Sequence, residues 1–296
     1  MKTPFLSWIQ AAWKRRVWIK ALRRFRPEAE LQLSNARFTV DLRDEVVGSL
    51  LYLQGEYEPE VQRLLRAIDL RGAVCVDIGA HMGLHTVLMS ELAGPEGRVY
   101  SFEPQSRNFD LLQRNIAANG LQNVQARRAA VGDREGHCRM AVHATNFGDH
   151  RVAGGSEGAE EVPMVTVDSV LSGVTGKIGL IKIDVQGYET NVIRGMRETL
   201  RRNPNVILFI EVFPEGLEAA GSSASELVEL LRELDFDGWE FHDFRLIPCQ
   251  QPHIYDLIRG GKYQDLVLSR RGERITGILA RLYSERPLEA RTPAAV

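Results

Sequence analysis

The sequence predicts an α/β chain built on a doubly wound, mostly parallel sheet. Three observations carry that prediction. Short apolar runs at residues 74–78, 99–102 and 180–184 alternate with helix-patterned segments. Glycines follow the first run, in "VCVDIGAHMGLHT", and the second, "VYSFEP", ends on the acid Glu103. Strands separated by single helices require crossovers, which make them parallel neighbours buried on both faces.

Taken in order, residues 38–42 alternate like a short strand, and "EPEVQRLLRAIDL" carries Val61, Leu64, Leu65 and Ile68 at helical spacing. Strand 74–78 leads into a helix over 84–92, and strand 99–102 into a helix over 108–119 with Phe109, Leu112 and Ile116 on one face. A third strand is expected over 124–131. Residues 136–163 loosen into a glycine-rich excursion containing "NFGDHRVAGGSEGAEE", and a loop of that length commonly carries function. The core resumes with strand 180–184, a helix over 189–201, strand 206–212 and a helix over 225–234. Residues 239–244 and 266–269 read as a C-terminal antiparallel strand pair. No repeat interrupts the pattern. The layout divides into a basic, aromatic helical extension (1–36), one main domain (37–270) and a terminal helix with tail (271–296).

The 296 residues are 44% hydrophobic and 26% charged, as in a globular protein. Charge is uneven: residues 1–26 hold eight bases and no acid, which leaves 29 of the 37 bases against 39 acids in the remainder. An acidic body excludes a general nucleic-acid binder, whose docking surface must neutralise phosphates. Cys75, Cys138 and Cys249 lie far apart without metal or redox spacing, which suits reduced thiols in the cytoplasm. The leader, with Phe5, Trp8, Trp13, Trp18 and Phe25 among its bases, lacks the apolar core of a signal peptide and is too polar to span a bilayer. Two readings of it stand: a peripheral membrane or partner-docking helix, and a helix lying on its own domain or on a second subunit.

In a doubly wound sheet, ligands sit at the carboxyl ends of the strands. The first loop has the form D-x-G-x-x-x-G, with Asp77, Gly79 and Gly83. Gly79 allows a tight turn against a ligand. Asp77 would repel a pyrophosphate and favour a cationic amino acid moiety, and Glu103 can accept both hydroxyls of a ribose. The combination points to S-adenosylmethionine. Asp133, in "AVGD", then falls beside the adenine, and Tyr57 with Glu58 forms a gate before the helix at Pro59.

The ordered series "LYLQGEYEPEVQRLL", "VCVDIGAHMGLHT", "VYSFEP", "LLQRNIAANGL", "AAVGD", "VTVDSV" and "LIKIDVQGYETNVIRGM" resembles the FkbM-type S-adenosylmethionine-dependent methyltransferases over roughly residues 50–211. The resemblance implies a class I methyltransferase (Rossmann-like) fold. It also implies methyl transfer, usually to oxygen, on sugars, glycans or secondary metabolites. By motif it assigns Asp77 and Gly79 to the methionine part, Glu103 to the ribose, Asp133 to the adenine and "IKIDVQGYE" to the acceptor side. Members commonly read Asp-Val-Glu-Gly where this chain has Gln186, so a carboxylate is missing there.

A sulfonium is already an activated donor, so alignment supplies much of the acceleration, but a neutral alcohol must still lose its proton. Candidate bases are Asp184, Glu189 and His150, with His81 placed in the cofactor loop and His85 read as structural. Asp168, Asp184 and Glu211 are not expected to converge, so no metal is assigned. Two rivals are weighed. An amine or nucleic-acid N-methyltransferase would carry an Asn/Asp-Pro-Pro-aromatic motif where "IDVQGYE" stands. A catalytically silent S-adenosylmethionine-binding module would dock in a biosynthetic assembly through residues 1–26. The expected partner is a small-molecule or glycan acceptor, with no nucleic acid.

Overall fold

Glu28–Leu33 (β1) and Ala36–Asp41 (β2) pair as an antiparallel hairpin, turned through Ser34 at φ +52°. The hairpin straddles the division expected at residue 36, and β1 carries a strand alternation, Ala29, Leu31 and Leu33 against Glu28, Glu30 and Gln32, that sequence reasoning missed. Buried Asn115 ties the hairpin to the core: its amide accepts from Thr39 N at 2.7 Å and donates to the carbonyls of Thr39 and Met82. In the computed structural model, the described residues are 19, 22–141, 145–153, 160–242, 245–248, 264–270, 275, 277–278 and 281–282. Most of the basic leader, Cys249 and the centre of the glycine-rich segment lie outside them.

Helices Val47–Gln54 (α1) and Pro59–Ala67 (α2) precede strand Val74–Ile78 (β3), which is buried at every position. Helix Leu84–Ala93 (α3), strand Arg98–Phe102 (β4), helix Ser106–Ala118 (α4) and strand Val124–Arg127 (β5) follow. The strand expected over 124–131 is in fact two: after Arg127 the chain leaves the main sheet, and Ala130–Val131 (β6) pairs elsewhere. The excursion is also structured. Gly136–Ala141 (β7), Arg151–Ala153 (β8) and Glu160–Val165 (β9) form a small sheet with β6 in the order β6-β9-β7-β8. Its apolar members, Met140, Val162 and Met164, point into the protein.

Helix Val167–Val170 (α5) leads to strand Ile178–Ile183 (β10). The helix expected over 189–201 is broken into Glu189–Arg194 (α6) and Arg197–Arg202 (α7). Gly195 presses on the carbonyl of Gly132, where a Cβ would lie 1.9 Å from its oxygen, and this contact fixes the break. Strand Ile207–Val212 (β11), helices Pro214–Ala219 (α8) and Ala224–Glu233 (α9), and strands Asp237–His242 (β12), Arg245–Pro248 (β13) and Gln264–Ser269 (β14) complete the described elements.

The main sheet runs β13-β12-β14-β11-β10-β3-β4-β5. Its pairs from β5 to β11 are parallel, and β14 lies antiparallel to both β11 and β12, which is the expected C-terminal pair. Both faces are covered. One core packs α6, α7 and α9 on Ile181, Ile183, Leu208 and Ile210; the other packs α2, α3 and residues of the terminal helix on Cys75, Val99, Leu180 and Phe209. The chain runs outward from β3 to β5 and returns to β10, so strand order reverses between β3 and β10. That reversal opens the crevice in which such sheets bind ligands.

Candidate active site

A cavity of about 410 Å³ lies at that reversal, beyond the carboxyl ends of β3, β4, β10 and β11. Its floor is the loop after β3 (Gly79–His81 and the start of α3), and Glu103 stands at the end of β4. Lys182, Asp184, Gln186 and Glu211 line the wall built by β10 and β11. Tyr57, Glu58 and the segment 146–150 form the roof.

Gly79 has φ +80°, and a Cβ on it would lie 1.8 Å from the carbonyl oxygen of Asp184. The glycine therefore serves the close approach of two strand ends, where the sequence suggests only room for a ligand. Gly83, at φ +92°, caps α3 against Leu112 and does not line the cavity. His81 takes φ +51°, which turns its backbone N–H onto Glu103 Oε2 at 2.8 Å and leaves its ring in the cavity wall. Asp77 is fully buried beneath the floor, accepting from Thr86 Oγ1 at 2.6 Å, and does not line the cavity. Burial raises its pKa.

Glu103 is 5% exposed and accepts from two backbone donors, His81 N and Gln105 N at 3.0 Å. Burial nevertheless pushes its carboxyl up to about 7. Asn108, in the first turn of α4, lines the cavity beside it; its amide nitrogen holds the carbonyl of Phe147, and its buried Oδ1 has no hydrogen-bond partner.

The roof is built around Asp44. Its carboxylate accepts from the N–H groups of Val46, Val47 and Gly48 at the start of α1 and from Phe147 N at 3.4 Å. One buried side chain thus joins helix and roof segment. His150 lies in that segment, 8% exposed and stacked on Phe147 with ring centroids 6.0 Å apart.

The opposite end is acidic. Lys182 is buried, with Nζ 3.2 Å from Asp184 Oδ2 and 3.9 Å from Asp77 Oδ1. Burial draws its pKa down, but Asp184, Asp77, Glu58 and Glu211 outweigh it and keep the ammonium charged. Asp184 also accepts from Gln186 Nε2 at 2.8 Å and from the Glu211 side chain. Burial pushes Asp184 up, and these partners reverse the shift, so it stays ionised. Burial and then Asp184 raise Glu211 to about 10, a neutral acid at pH 7. Burial raises Glu58 to about 7 and, with Glu58 beside it, Asp265 to about 7. Tyr57, half-buried next to Glu58, is raised by desolvation and by that carboxyl and stays a phenol.

The cavity thus brings together Tyr57, Gly79, His81, Glu103, His150 and Asp184. Glu189 and Asp133 are elsewhere. Glu189 is fully buried and folds back to accept from Gly187 N at 2.8 Å, under the turn that presents Gln186. Asp133 sits outside the lining with Arg134 at 3.3 Å. The expectation that Asp184 and Glu211 stay apart is wrong, because β10 and β11 are neighbours; Asp168 does stay apart, capping α7 through Glu198 N and Thr199 N. Among the described residues, no group of three His, Cys, Asp or Glu side chains is set to hold a metal, and no helix is long and apolar enough to cross a membrane. Sequence reasoning missed Lys182, Asn108 and Asp44. A lysine inside the apolar run "LIKID" was the available signal for the first.

Glu103 and Asn108 suit a nucleoside: Glu103 is a buried, cavity-facing carboxylate with acceptor capacity left for a diol, and the unpartnered Asn108 Oδ1 lies nearby.

Residues 77–237 match the family model for the methyltransferase FkbM domain. The hexuronic acid methyltransferase AglP of Haloferax volcanii is 30% identical over 216 residues, which cover 70% of this chain and 86% of that protein. Methyltransferase 1 of Beauveria bassiana is 26% identical over 41% of this chain and 57% of its own. Among solved structures, a methyltransferase FkbM of Methylobacillus flagellatus aligns at 15% identity and a TM-score of 0.43, over 67% of this chain and 44% of that one, so this chain spans less than half of that protein.

Proposed function

The chain belongs to the FkbM methyltransferase family, with S-adenosylmethionine as its methyl donor, and on that premise we propose that it methylates a hydroxyl oxygen of a sugar, glycan or similar secondary metabolite. The observation that carries the reading is the opposition of two carboxylates in one cavity: Glu103, buried among backbone donors, and Asp184, ionised and partly open to the cavity.

Bound S-adenosylmethionine supplies a methyl group already activated on sulfur. Glu103 would accept the hydrogen bonds of the ribose diol, and the floor from Gly79 to His81 with the roof at Tyr57 would hold the methionine part. Asp184 would orient the acceptor hydroxyl and take its proton as the methyl group is transferred to the oxygen. A carboxylate held ionised is a weak base, so Asp184 contributes orientation and electrostatic stabilisation more than proton affinity. Lys182 fixes its position, and Glu211 returns a hydrogen bond to it. Gln186, which replaces the commoner glutamate, donates to Asp184 and adds no negative charge. The Haloferax relative, a hexuronic acid methyltransferase, supports a sugar-type acceptor.

The test has two steps. Calorimetric titration with S-adenosylhomocysteine is expected to show binding that Glu103→Ala removes. Labelled-methyl transfer to a panel of sugars is then expected to place the label on oxygen, with Asp184→Asn lowering turnover about 10²-fold or more while binding persists. Label found on nitrogen or carbon, or binding without transfer to any acceptor, would overturn the reading.

A further inference from the structure

The carboxyl ends of β10 and β11 and the adjoining amino end of the antiparallel β14 set three acids in a row, Asp265 lying behind Glu211 and outside the cavity lining. Glu211 is in register with Asp265, and Ile183 is in register with Ile210, which makes Asp184 and Glu211 the next neighbours along those strands. Like charges directly opposite on neighbouring strands destabilise a sheet, and Glu58 adds a fourth carboxyl from the roof. Among the described residues, the cation inside this ring is Lys182, already engaged by Asp184 and Asp77. Opposite Glu58 stands His85, whose side chain is 9% exposed and whose buried Nε2 has no hydrogen-bond partner, 3.6 Å from Glu58 Oε2. Burial and Lys182 hold this ring neutral, with its pKa down at about 3, so it does not offset the acids.

We propose that this end of the cavity binds a protonated amine carried by the acceptor, which makes the acceptor an amine-bearing sugar and not a uronic acid. The inference rests on the reading of the cavity as a sugar hydroxyl methylation site. An ammonium has three donors, which match Glu58, Glu211 and the unpartnered His85 Nε2 and leave Asp184 for the adjacent hydroxyl. A carboxylate acceptor would face the carboxyls of Glu58, Asp184 and Glu211. A divalent ion is the competing cation, and the described residues offer no group of three ligands for one. Without an acceptor the cluster lowers its own repulsion by holding protons, so a docking ammonium should expel them.

The experiment is calorimetric titration of the full chain, loaded with S-adenosylhomocysteine, with a glucosamine glycoside, its N-acetyl derivative and the corresponding glucuronic acid glycoside, in two buffers of different ionisation heat. The amine should bind about tenfold or more tightly than its N-acetyl derivative, release protons on binding, and lose its advantage in Glu211→Gln while the affinity for S-adenosylhomocysteine holds. No amine preference, or no binding by any of the three, overturns the inference. So does a fall in S-adenosylhomocysteine affinity in Glu211→Gln, which would assign the cluster to the cofactor's own ammonium. Amine-selective binding without methyl transfer to a hydroxyl would leave this inference standing and overturn the hydroxyl methylation reading instead.

Discussion

The carbonyl oxygen of Asp184 occupies the space that a side chain on Gly79 would need, 1.8 Å from an ideal Cβ. The contact joins the ends of β3 and β10, the two strands between which the sheet reverses, so one glycine sets the width of the crevice. Gly79→Ala must both adopt φ +80° and push two buried strands apart. A loss of about 4 kcal/mol or more is expected in urea unfolding, together with loss of S-adenosylhomocysteine binding. Gly55→Ala is the control, because φ is +76° there but nothing lies within 4 Å of the added carbon. It should cost only about 1 kcal/mol.

Asp44 joins the roof to α1 through four backbone N–H groups, although α1 has no side-chain cap at the residue immediately before it. Asp44→Ala leaves those donors buried and unpaired and should destabilise the protein by about 3 kcal/mol. Asp44→Asn keeps one acceptor oxygen and should lose roughly half as much. Urea melts of both variants check the ranking, and weaker cofactor binding is expected in the same order as the roof loosens.

Glu103 makes cofactor binding depend on pH. In the ligand-free protein its carboxyl lies at about 7, pushed up by burial and held from going higher by the N–H groups of Gln105 and His81. A diol donates to the ionised form, so binding lowers that pKa and releases a proton. Affinity for S-adenosylhomocysteine should therefore rise as pH increases from 6 to 8, by up to about tenfold per unit below pH 7, and the slope should flatten in Glu103→Gln. The stability of the ligand-free protein moves the other way. A folded-state pKa above the unfolded value contributes stability that is present in full below about 4.5 and is lost as pH rises through about 7. Melting temperatures of the free and bound protein across this range check both signs.

Periodicity made the parallel core legible, because each buried strand is a short apolar run and each covering helix has one apolar face. What it could not report were contacts between distant segments. The break after α6 depends on Gly132, and β6 leaves the third strand to meet β9; both partners lie more than 30 residues away. The site divides the same way. Glu103 and Asp184 were readable because acids that end apolar runs lie at strand mouths. Asp44 was not, since its role is defined by Phe147, about 100 residues further on. Glu189 belongs to the same motif as Asp184 yet turns inward, because the left-handed Gln186 and Gly187 reverse the chain between them.

Lys182 is the charge on which the acidic end depends, and its removal should cost most at high pH. Lys182→Met preserves length and apolar stem but leaves Asp77 and Asp184 buried without their counter-ion, a situation that typically costs about 3–5 kcal/mol. In the wild type, the lysine and the hydrogen bonds to Asp184 hold that carboxyl below its ordinary value, so its contribution to stability is present above about pH 4 and is lost on acidification. Without the lysine, both carboxyls should titrate above their unfolded values. The variant then avoids the buried charge at low pH by protonating them and becomes less stable as pH rises. The gap between wild type and Lys182→Met in urea unfolding is therefore expected to widen from pH 5 to pH 8, and a constant gap would mean that Lys182 contributes through packing alone.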